Sequence, residues 1–241
     1  MNRQITIDTV RDAARVVYQA AVRTPLIRLD YPERDVEIWL KLETLQPIGS
    51  FKIRGAYNAI RHLTSGQLAE GVWTVSAGNA AQGVALAARL AGARSAILVI
   101  DTAPETKLRA IRRLGATLVP ASYDECWKAL EDHRSDRMTG YFQHPFDDDR
   151  FISGNGTIGL EILEDLPDVD AVIAPLGGGG LLSGIACVMR ALRPKAKVFA
   201  AEPETASPLA ASLAAGRPGY FEGWTASFVD GAGGKSVIPA M

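Results

Sequence analysis

The spacing of apolar positions along the chain changes between two periods, one typical of helices and one typical of strands. Residues 8–22 follow the helical period and stop at Thr24-Pro25, because proline cannot continue a helix. Residues 37–43 (EIWLKLE) alternate as a half-buried strand does, and a helix is predicted from Ser50 to about Leu63. The start of the chain therefore mixes both kinds of element.

From residue 71 onward, short strand patterns alternate with helical patterns. Strands are predicted at 72–75, 96–100, 116–119 and 141–142, and helices at 80–91, 104–114 and 123–135. A second series has helices at 157–166 and 181–192 and strands at 171–174 and 197–201. Short strands that alternate with helices favour parallel pairing, with helices on the faces of the sheet. This order of elements predicts an α/β fold.

Composition narrows the classes of function. The 241 residues include 26 basic and 27 acidic side chains, a net charge of -1, without a basic run, so nucleic acid is not expected as a partner. The N-terminus lacks the apolar core of a signal peptide, and Cys126 and Cys187 show no paired spacing, which predicts a reducing, cytoplasmic compartment. Residues 171–189 carry no charge, but Pro175 and several glycines interrupt them, so no membrane span is expected.

Lys52 is the first candidate for chemistry. Phe51 and Ile53 flank it with apolar side chains, and Ser50 is a suitable N-cap for the helix that follows. Apolar surroundings and the positive end of a helix both disfavour the ammonium form and lower the pKa of a lysine. A neutral lysine amine is suited to a Schiff base with a carbonyl cofactor. A solvated lysine in the first turn of an amphipathic helix is the alternative, and this segment alone leaves it open.

The second candidate is the run from Gly177 to Gly180, which lies between a strand pattern and a helix pattern. Consecutive backbone N–H groups at the N-terminus of a helix form a cradle for an anion such as phosphate. A purely structural glycine turn is one alternative. A dinucleotide-binding turn is another, with Glu202 at the end of the next strand, but the spacing G-x-G-x-x-G does not occur in this run.

The third candidate is segment 76–83 (SAGNAAQG), which also lies where a strand pattern ends and a helix pattern begins. Ser76 and Asn79 are both residue types that cap helices. Their hydroxyl and amide groups could also bind a ligand. The segment taken alone leaves both interpretations open.

Segments 50–56, 76–83 and 175–181, in this order and at these distances, resemble the threonine/serine dehydratase family of fold-type II pyridoxal-phosphate (PLP) enzymes. The resemblance covers nearly the whole chain, from Thr24 to Gly231. It implies a fold like that of the tryptophan synthase β subunit, with two open, twisted, mainly parallel sheets flanked by helices. It also implies that the C-terminal part of that fold is missing here.

The resemblance implies two domains. Residues 1–64 and 148–241 would form a large PLP-binding domain, incomplete at its C-terminus, and residues 65–147 a small domain inserted into it. In the family, a further C-terminal segment supplies the side chain that faces the pyridine nitrogen, and no residue of this chain is assigned to that role. An incomplete sheet would expose an edge and apolar surface, so we expect reduced stability, altered assembly or weak retention of the cofactor.

The same resemblance assigns the site. Lys52 is expected to carry PLP as a Schiff base and to be the catalytic residue. The residues expected to bind the cofactor are Lys52, Phe51, Asn79, Gly177, Gly178, Gly179, Gly180 and Leu181. The residues expected to bind the substrate are Ser76, Ala77, Gly78, Asn79 and Gln82.

The activity implied by the resemblance is β-elimination of water and ammonia from threonine, serine or both, to give a 2-oxo acid. The partner would be a small amino acid, and a homo-oligomer, specifically a dimer, is expected. Ala77 stands where serine racemase has a serine that returns a proton, which favours elimination over racemisation. Ala80 stands where the family commonly has histidine, and nothing in the sequence explains that change.

Two alternatives to this activity remain. A β-replacement enzyme such as cysteine synthase shares the fold, although its lysine segment usually has an acidic residue after the lysine and its asparagine loop usually carries threonine. A truncated chain could also be a PLP-binding protein without catalytic activity.

No metal site is expected. Glu202 and the carbonyl of Ala206 are weak candidates by resemblance to a divalent-cation loop in some relatives, but Pro208 stands where those relatives supply a second carboxylate. The histidines at positions 62, 133 and 144 are scattered in the sequence and share no ligand spacing. The three adjacent carboxylates at 147–149 are expected to be solvated and are left unassigned.

Overall fold

The structure is a computed structural model, and it describes residues 3–32, 35–229 and 231–237. The strands, in chain order, are β1 (Leu26–Leu29), β2 (Ile38–Lys41), β3 (Val72–Val75), β4 (Ser95–Ile100), β5 (Thr117–Ala121), β6 (Tyr141–Phe142), β7 (Ala171–Pro175) and β8 (Lys197–Ala201). The α-helices are α1 (Ile7–Ala14), α2 (Lys52–Arg61), α3 (Ser65–Glu70), α4 (Asn79–Leu90), α5 (Glu105–Arg113), α6 (Tyr123–Asp132), α7 (Asp149–Asp165), α8 (Gly180–Leu192) and α9 (Pro208–Ala215). Short 3₁₀ helices cover Val17–Gln19 and Glu43–Leu45.

The largest sheet has four parallel strands in the order β5-β4-β3-β6. Alternate residues of its central strands face opposite sides, as the strand period requires. Val72, Ile97 and Val99 pack into an apolar cluster with α2 and α4, whereas Trp73 and Leu98 pack with α6 on the other side. Helices therefore cover both faces, as is usual for parallel sheets.

A second unit contains the parallel pair β7 and β8, against which α7 and α8 pack. Strands β1 and β2 form a separate antiparallel hairpin. Both βα series thus pair in parallel, as the alternation of strands and helices predicted. The core clusters of the two units meet at α2, because Ile53 and Ala56 share a cluster with Val84 of α4 and with Phe151 of α7.

Several helix boundaries differ from the sequence prediction. Helix α7 begins at Asp149 rather than at residue 157, because Asp148 caps it by accepting from the N–H of Phe151 at 2.7 Å. The glycines in its first turns interrupt the apolar period and so hid this start. The helix predicted over 8–22 ends at Ala14 and continues only as a 3₁₀ turn. The pattern did not predict α3, α9 or β1.

Within residues 3–32, 35–229 and 231–237, every helix is too short or too polar to cross a lipid bilayer. The uncharged stretch at 171–189 is instead divided between β7, the glycine run and α8.

Glycines allow the central helices to pack closely. A Cβ added at Gly184 of α8 would lie 2.5 Å from the carbonyl oxygen of Ile152 and 2.7 Å from the backbone nitrogen of Gly156, both in α7. A Cβ at Gly154 of α7 would lie 2.5 Å from the carbonyl oxygen of Arg54 in α2. These contacts involve backbone atoms, which cannot move without shifting a helix. The packing of α2, α7 and α8 therefore depends on glycine at these crossings.

We expect Gly184→Ala to lower the free energy of unfolding by about 1–3 kcal/mol, because the added methyl group overpacks the crossing of α7 and α8. Gly66→Ala is the matched control, since Gly66 lies in the short helix α3 and its added Cβ would meet nothing closer than 3.9 Å. The control should stay within about 0.5 kcal/mol of the wild type. Urea unfolding of the three proteins measures the difference, and equal stability of the two variants would contradict the crossing geometry.

Candidate active site

Lys52 is the first residue of α2. The N-cap residue is Phe51, so the prediction that Ser50 caps this helix is wrong. The chain enters the helix one residue later than expected, through a turn at Gly49 with a positive φ of 69°. The Ser50 hydroxyl nevertheless accepts a hydrogen bond from the backbone N–H of Lys52 at 3.3 Å, and so holds the first turn.

The Lys52 amine lies among aromatic rings and a backbone carbonyl. Its Nζ donates to the carbonyl oxygen of Pro145 at 2.7 Å and lies 5.5 Å and 5.3 Å from the ring centroids of Phe51 and Phe151. Within the described part of the chain, no carboxylate pairs with it. Burial lowers the pKa of Lys52 to about 8. The amine therefore loses its proton at a lower pH than an ordinary lysine does, and the alternative of a fully solvated lysine does not hold.

The glycine run forms the N-terminus of α8, with Gly179 as its N-cap in a left-handed conformation (φ 86°). Contacts with one neighbour, Phe146, require glycine at two positions of this run. A Cβ at Gly178 would lie 2.2 Å from the Phe146 ring, and one at Gly180 would lie 2.7 Å from the Phe146 carbonyl oxygen. Gly177 is different, because its Cβ would meet the carbonyl oxygen of Gly231 at 3.4 Å and the Cα of Ala232 at 3.9 Å, which are ordinary contact distances. Local packing thus explains three of the glycines and leaves Gly177 without a structural reason.

The lysine and the glycine run meet at the segment Pro145-Phe146. Pro145 accepts from Lys52, and the ring of Phe146 packs on Gly178. Phe51 and Leu181 also pack against the same apolar cluster, which is built from α7, β7 and α8. Two segments that are far apart in sequence therefore both contact one short turn.

Segment 76–83 packs directly beside Lys52. Gly83 allows this approach, since its added Cβ would lie 3.0 Å from the Lys52 carbonyl oxygen. The N-cap of α4 is Gly78, without a side-chain cap, so the simple N-cap interpretation of Ser76 and Asn79 is wrong. Ser76 Oγ instead accepts from the N–H of Gly78 at 3.1 Å. The side chain of Asn79 is exposed and makes no hydrogen bond to any described residue.

The remaining predicted substrate residues lie in the same turn and in the first turn of α4. Ala77 and Gly78 are half-buried, and so is Gln82 one helical turn later. Loop 76–79 therefore presents a hydroxyl group and an unpaired amide close to the start of α2.

A cavity of about 1120 Å³ borders the glycine run and Phe146. Gly177, Gly178, Gly179, Phe146 and Lys235 are among its lining residues, whereas Lys52 and Asn79 are not. The glycine run therefore borders open space, and Phe146, which packs on Gly178, borders the same space. Gly177, the glycine that packing does not require, lines this space.

The weak metal candidates have other roles in the structure. The two carboxylate oxygens of Glu202 accept from the N–H groups of Leu209 and Ala210, each at 3.0 Å, and so hold the first turn of α9. Ala206 is buried, at 3% exposure. The structure thus uses Glu202 as a helix cap.

The view of the histidines as scattered was wrong for two of them. The rings of His133 and His144 lie 5.0 Å apart, and ligand atoms of these residues and Asp147 lie within 4.8 Å of one another. Nδ1 of His144 already accepts two backbone hydrogen bonds, however, and Asp147 pairs with Arg3. These groups therefore serve the local structure, and we assign no metal to them. Their distance in sequence gave no signal that they would meet.

Comparison with known proteins places this geometry in a family. A model of the family described as "Pyridoxal-phosphate dependent enzyme" matches residues 17–240. The chain belongs to this family. The resemblance inferred from the three segments and the α/β fold expected from it are both confirmed, and PLP is the cofactor of the family.

Several curated members of the family are similar in sequence. L-threonine ammonia-lyase of Thermotoga maritima is 43% identical over 224 residues, which is 91% of this chain and 55% of that protein. Threonine dehydratase 1 biosynthetic, chloroplastic, of Solanum lycopersicum is 43% identical over 226 residues, 92% of this chain and 37% of that protein. L-threonine dehydratase catabolic TdcB of Staphylococcus aureus is 38% identical over 215 residues, which is 87% of this chain and 62% of that protein. The chain thus spans between 37% and 62% of the length of these relatives.

Solved structures in the family share the fold. The processed form of threonine deaminase isoform 2 from Solanum lycopersicum matches with a TM-score of 0.86 and 34% identity, over 98% of this chain and 72% of that one. Serine racemase from Dictyostelium discoideum matches with a TM-score of 0.85 and 33% identity, over 98% and 76% of the two chains. The fold therefore recurs in proteins named for different reactions.

The residues of the site fit the chemistry of PLP. Its aldehyde group requires an amine with a free lone pair, and the lowered pKa of Lys52 supplies one. Its phosphate requires donors at a helix N-terminus, and the start of α8 offers them beside the open space at Gly177. The amine and the helix N-terminus are thus the kinds of group that the aldehyde and the phosphate of PLP would bind.

The buried amine should cost the folded protein stability in a way that depends on pH. The ordinary lysine pKa is 10.5 and the pKa in the folded protein is about 8. Below pH 8 the amine is charged in both states, so the cost of burying it is fully present. The cost disappears as the pH rises toward 10.5, because the folded state releases the proton first.

We therefore expect Lys52→Met to raise the free energy of unfolding of the cofactor-free protein by about 1–3 kcal/mol at neutral pH. The gain should shrink as the pH rises from 8 to 10.5. Lys52→Arg, which keeps a charge at this position, should show no gain. Denaturant unfolding across this pH range tests the expectation, and a pH-independent difference between wild type and Lys52→Met would contradict it.

Proposed function

We propose that this chain carries the catalytic apparatus of a PLP-dependent ammonia-lyase that eliminates water and ammonia from threonine or serine and yields a 2-oxo acid. The single observation that carries the proposal is the half-buried Lys52 amine, which donates to the Pro145 carbonyl, has no carboxylate partner among the described residues and has a pKa that burial lowers to about 8. The names of the relatives at 38–43% identity, threonine ammonia-lyase and threonine dehydratase, support threonine as the substrate.

The proposed roles follow the position of each group. Lys52 attaches the cofactor covalently, with Phe51 beside it. The residues proposed to hold the phosphate are Gly177, Gly178, Gly179, Gly180 and Leu181. Asn79 is proposed to hydrogen-bond the cofactor ring, and Ser76, Ala77, Gly78 and Gln82 to surround the carboxylate of the substrate. The free amide of Asn79 and the packing of Gly83 on Lys52 support these assignments.

The bound cofactor would supply an electron sink that weakens the bonds to the α-carbon of the amino acid. The protein decides which bond breaks. A neutral Lys52 amine can accept the α-proton at Nζ, and its pKa of about 8 allows it to act near neutral pH. The Pro145 carbonyl orients one N–H of that amine. The rings of Phe51 and Phe151, with centroids 5.5 Å and 5.3 Å from Nζ, reduce its contact with water.

We also propose the division into a small domain, residues 65–147, and a large domain, residues 1–64 and 148–241. Its support is that the four-stranded sheet lies wholly within residues 72–142, whereas β1, β2, β7 and β8 lie outside this range. A homodimer and a cytoplasmic location remain predictions of the resemblance.

Two activities compete with elimination. β-Replacement, as in cysteine synthase, is disfavoured because the curated relatives at 38–43% identity are named for elimination. Serine racemisation is the other, since serine racemases are among the similar structures at 33–35% identity. Ala77 argues against racemisation, because its methyl group cannot transfer a proton.

The direct test is incubation of the chain with PLP and threonine, and assay of 2-oxobutanoate and ammonia. We expect both products in equal amounts, and a loss of at least about 100-fold in Lys52→Ala, because general base and covalent attachment are removed together. Lys128→Ala is the control, since Lys128 is exposed and pairs with Asp132 within α6. Sulfide-dependent formation of cysteine in place of ammonia would indicate β-replacement, and bound cofactor without turnover would indicate a non-catalytic protein.

Ala77→Ser tests the choice between elimination and racemisation. A serine hydroxyl at this position restores a group able to carry a proton, so we expect the variant to form D-serine from L-serine, whereas the wild type forms only pyruvate and ammonia. Chiral chromatography of the reaction mixture measures both outcomes. Formation of D-serine by the wild type at a rate similar to elimination would contradict the assignment of Ala77.

A further inference from the structure

The short turn from His144 to Asp147 carries the hydrogen-bond acceptor of the Lys52 amine. That acceptor is the carbonyl oxygen of Pro145, 2.7 Å from Nζ. The proline ring restricts φ and removes the backbone N–H, so Pro145 itself cannot donate a hydrogen bond that holds the turn. The position of the carbonyl therefore depends on the groups that bind the next two residues.

His144 supplies those hydrogen bonds. Its Nδ1 accepts from the backbone N–H of Asp147 at 2.8 Å and from that of Phe146 at 3.3 Å. Both bonds require a lone pair on Nδ1, so the ring is neutral and carries its proton on Nε2. The side chain is 5% exposed, and burial lowers the pKa of His144 to about 3. The neutral acceptor form thus persists through the physiological range.

Charged groups on several elements face His144. After burial, the Asp147 carboxylate raises the pKa of His144, whereas His133, Lys52 and Arg3 lower it. Arg3 also pairs with Asp147, so the carboxylate beside the ring has its own cation. The balance of these groups leaves the ring neutral.

We propose that His144 is a positioning residue for Lys52, because its neutral Nδ1 fixes the turn that directs the Pro145 carbonyl at the amine. The inference rests on the proposed function only in taking Lys52 as the reacting amine. An amine that donates one N–H to a fixed carbonyl has its lone pair in a defined direction, which both covalent attachment and proton removal require. His144 acts through Pro145 and does not itself take part in the chemistry.

Substitutions at position 144 can test the two ring nitrogens of His144 one at a time. Asparagine places its oxygen near the position of Nδ1, and glutamine places its oxygen near that of Nε2. His144→Asn therefore keeps an acceptor for the turn, whereas His144→Gln and His144→Leu remove it. His133→Asn is the matched control, because His133 makes no hydrogen bond to the turn in the described residues and has a positive φ of 54°, which asparagine tolerates.

The readout is the labelling of Lys52 in the cofactor-free protein by a small amine-reactive reagent, followed against pH and located by mass spectrometry. In the wild type we expect a midpoint near pH 8. His144→Leu and His144→Gln should raise this midpoint by about one pH unit or more, because a loosened turn admits water to the amine and reduces its desolvation. His144→Asn and His133→Asn should keep the wild-type midpoint. Thermal melting identifies the variants that are folded, and His144→Gln serves where His144→Leu does not fold.

An unchanged midpoint in folded His144→Gln or His144→Leu would overturn the proposal, and so would an equal shift in His133→Asn. The result does not depend on turnover, because the labelling reports the amine without cofactor or substrate. A wild type that forms neither 2-oxobutanoate from threonine nor pyruvate from serine would refute the proposed function, and the midpoints would still decide whether His144 positions Lys52.

Discussion

The site depends on an unequal distribution of charge along one turn of α2. Arg54 and Lys52 are two residues apart, yet the fold gives them opposite surroundings. Arg54 is fully buried and donates to Glu43 and Glu161. Burial alone would lower the pKa of Arg54, but these carboxylates hold it above its ordinary value. Lys52 has only a carbonyl and aromatic rings, so burial lowers its pKa to about 8. The nearby carboxylates thus neutralise Arg54, which we call the anchor of α2. They leave the Lys52 amine without a counter-charge.

The anchor ties α2 to the rest of the structure. Glu161 of α7 also accepts hydrogen bonds from Tyr18 at 2.7 Å and pairs with Lys41 of β2 at 2.6 Å. A buried ion pair of this kind costs desolvation energy, so its net contribution to stability is small, but breaking it on one side leaves an unpaired charge and is strongly unfavourable. The network therefore connects α2 to α7 and β2 through Arg54 and Glu161. A fixed first turn is what a lysine at its start requires.

The sequence predicted those features of the site that depend on local patterns, whereas contacts between distant segments became visible only in the structure. Lys52 and the glycine run were evident because apolar flanks and consecutive glycines are local signals. The role of Phe146 was hidden, since nothing in its own neighbourhood shows that its ring packs on Gly178, 32 positions later. The meeting of His133 with His144 was missed for the same reason. The start of α7 was missed because the glycines that allow its close packing also weaken its helical pattern.

Phe146 gives the glycine run a structural role that does not depend on a ligand. Glycines 178 and 180 are required by the ring and carbonyl of Phe146, and Gly179 by its positive φ, before any ligand is considered. The loop is therefore held in one conformation by the protein itself, and its loss of backbone freedom occurs during folding. A ligand that binds such a loop does not have to order it, so more of the interaction energy appears as affinity. The same turn places the Pro145 carbonyl at Lys52. One short segment thus contacts both parts of the proposed site, and the glycine run and the Lys52 amine are arranged together because they share it.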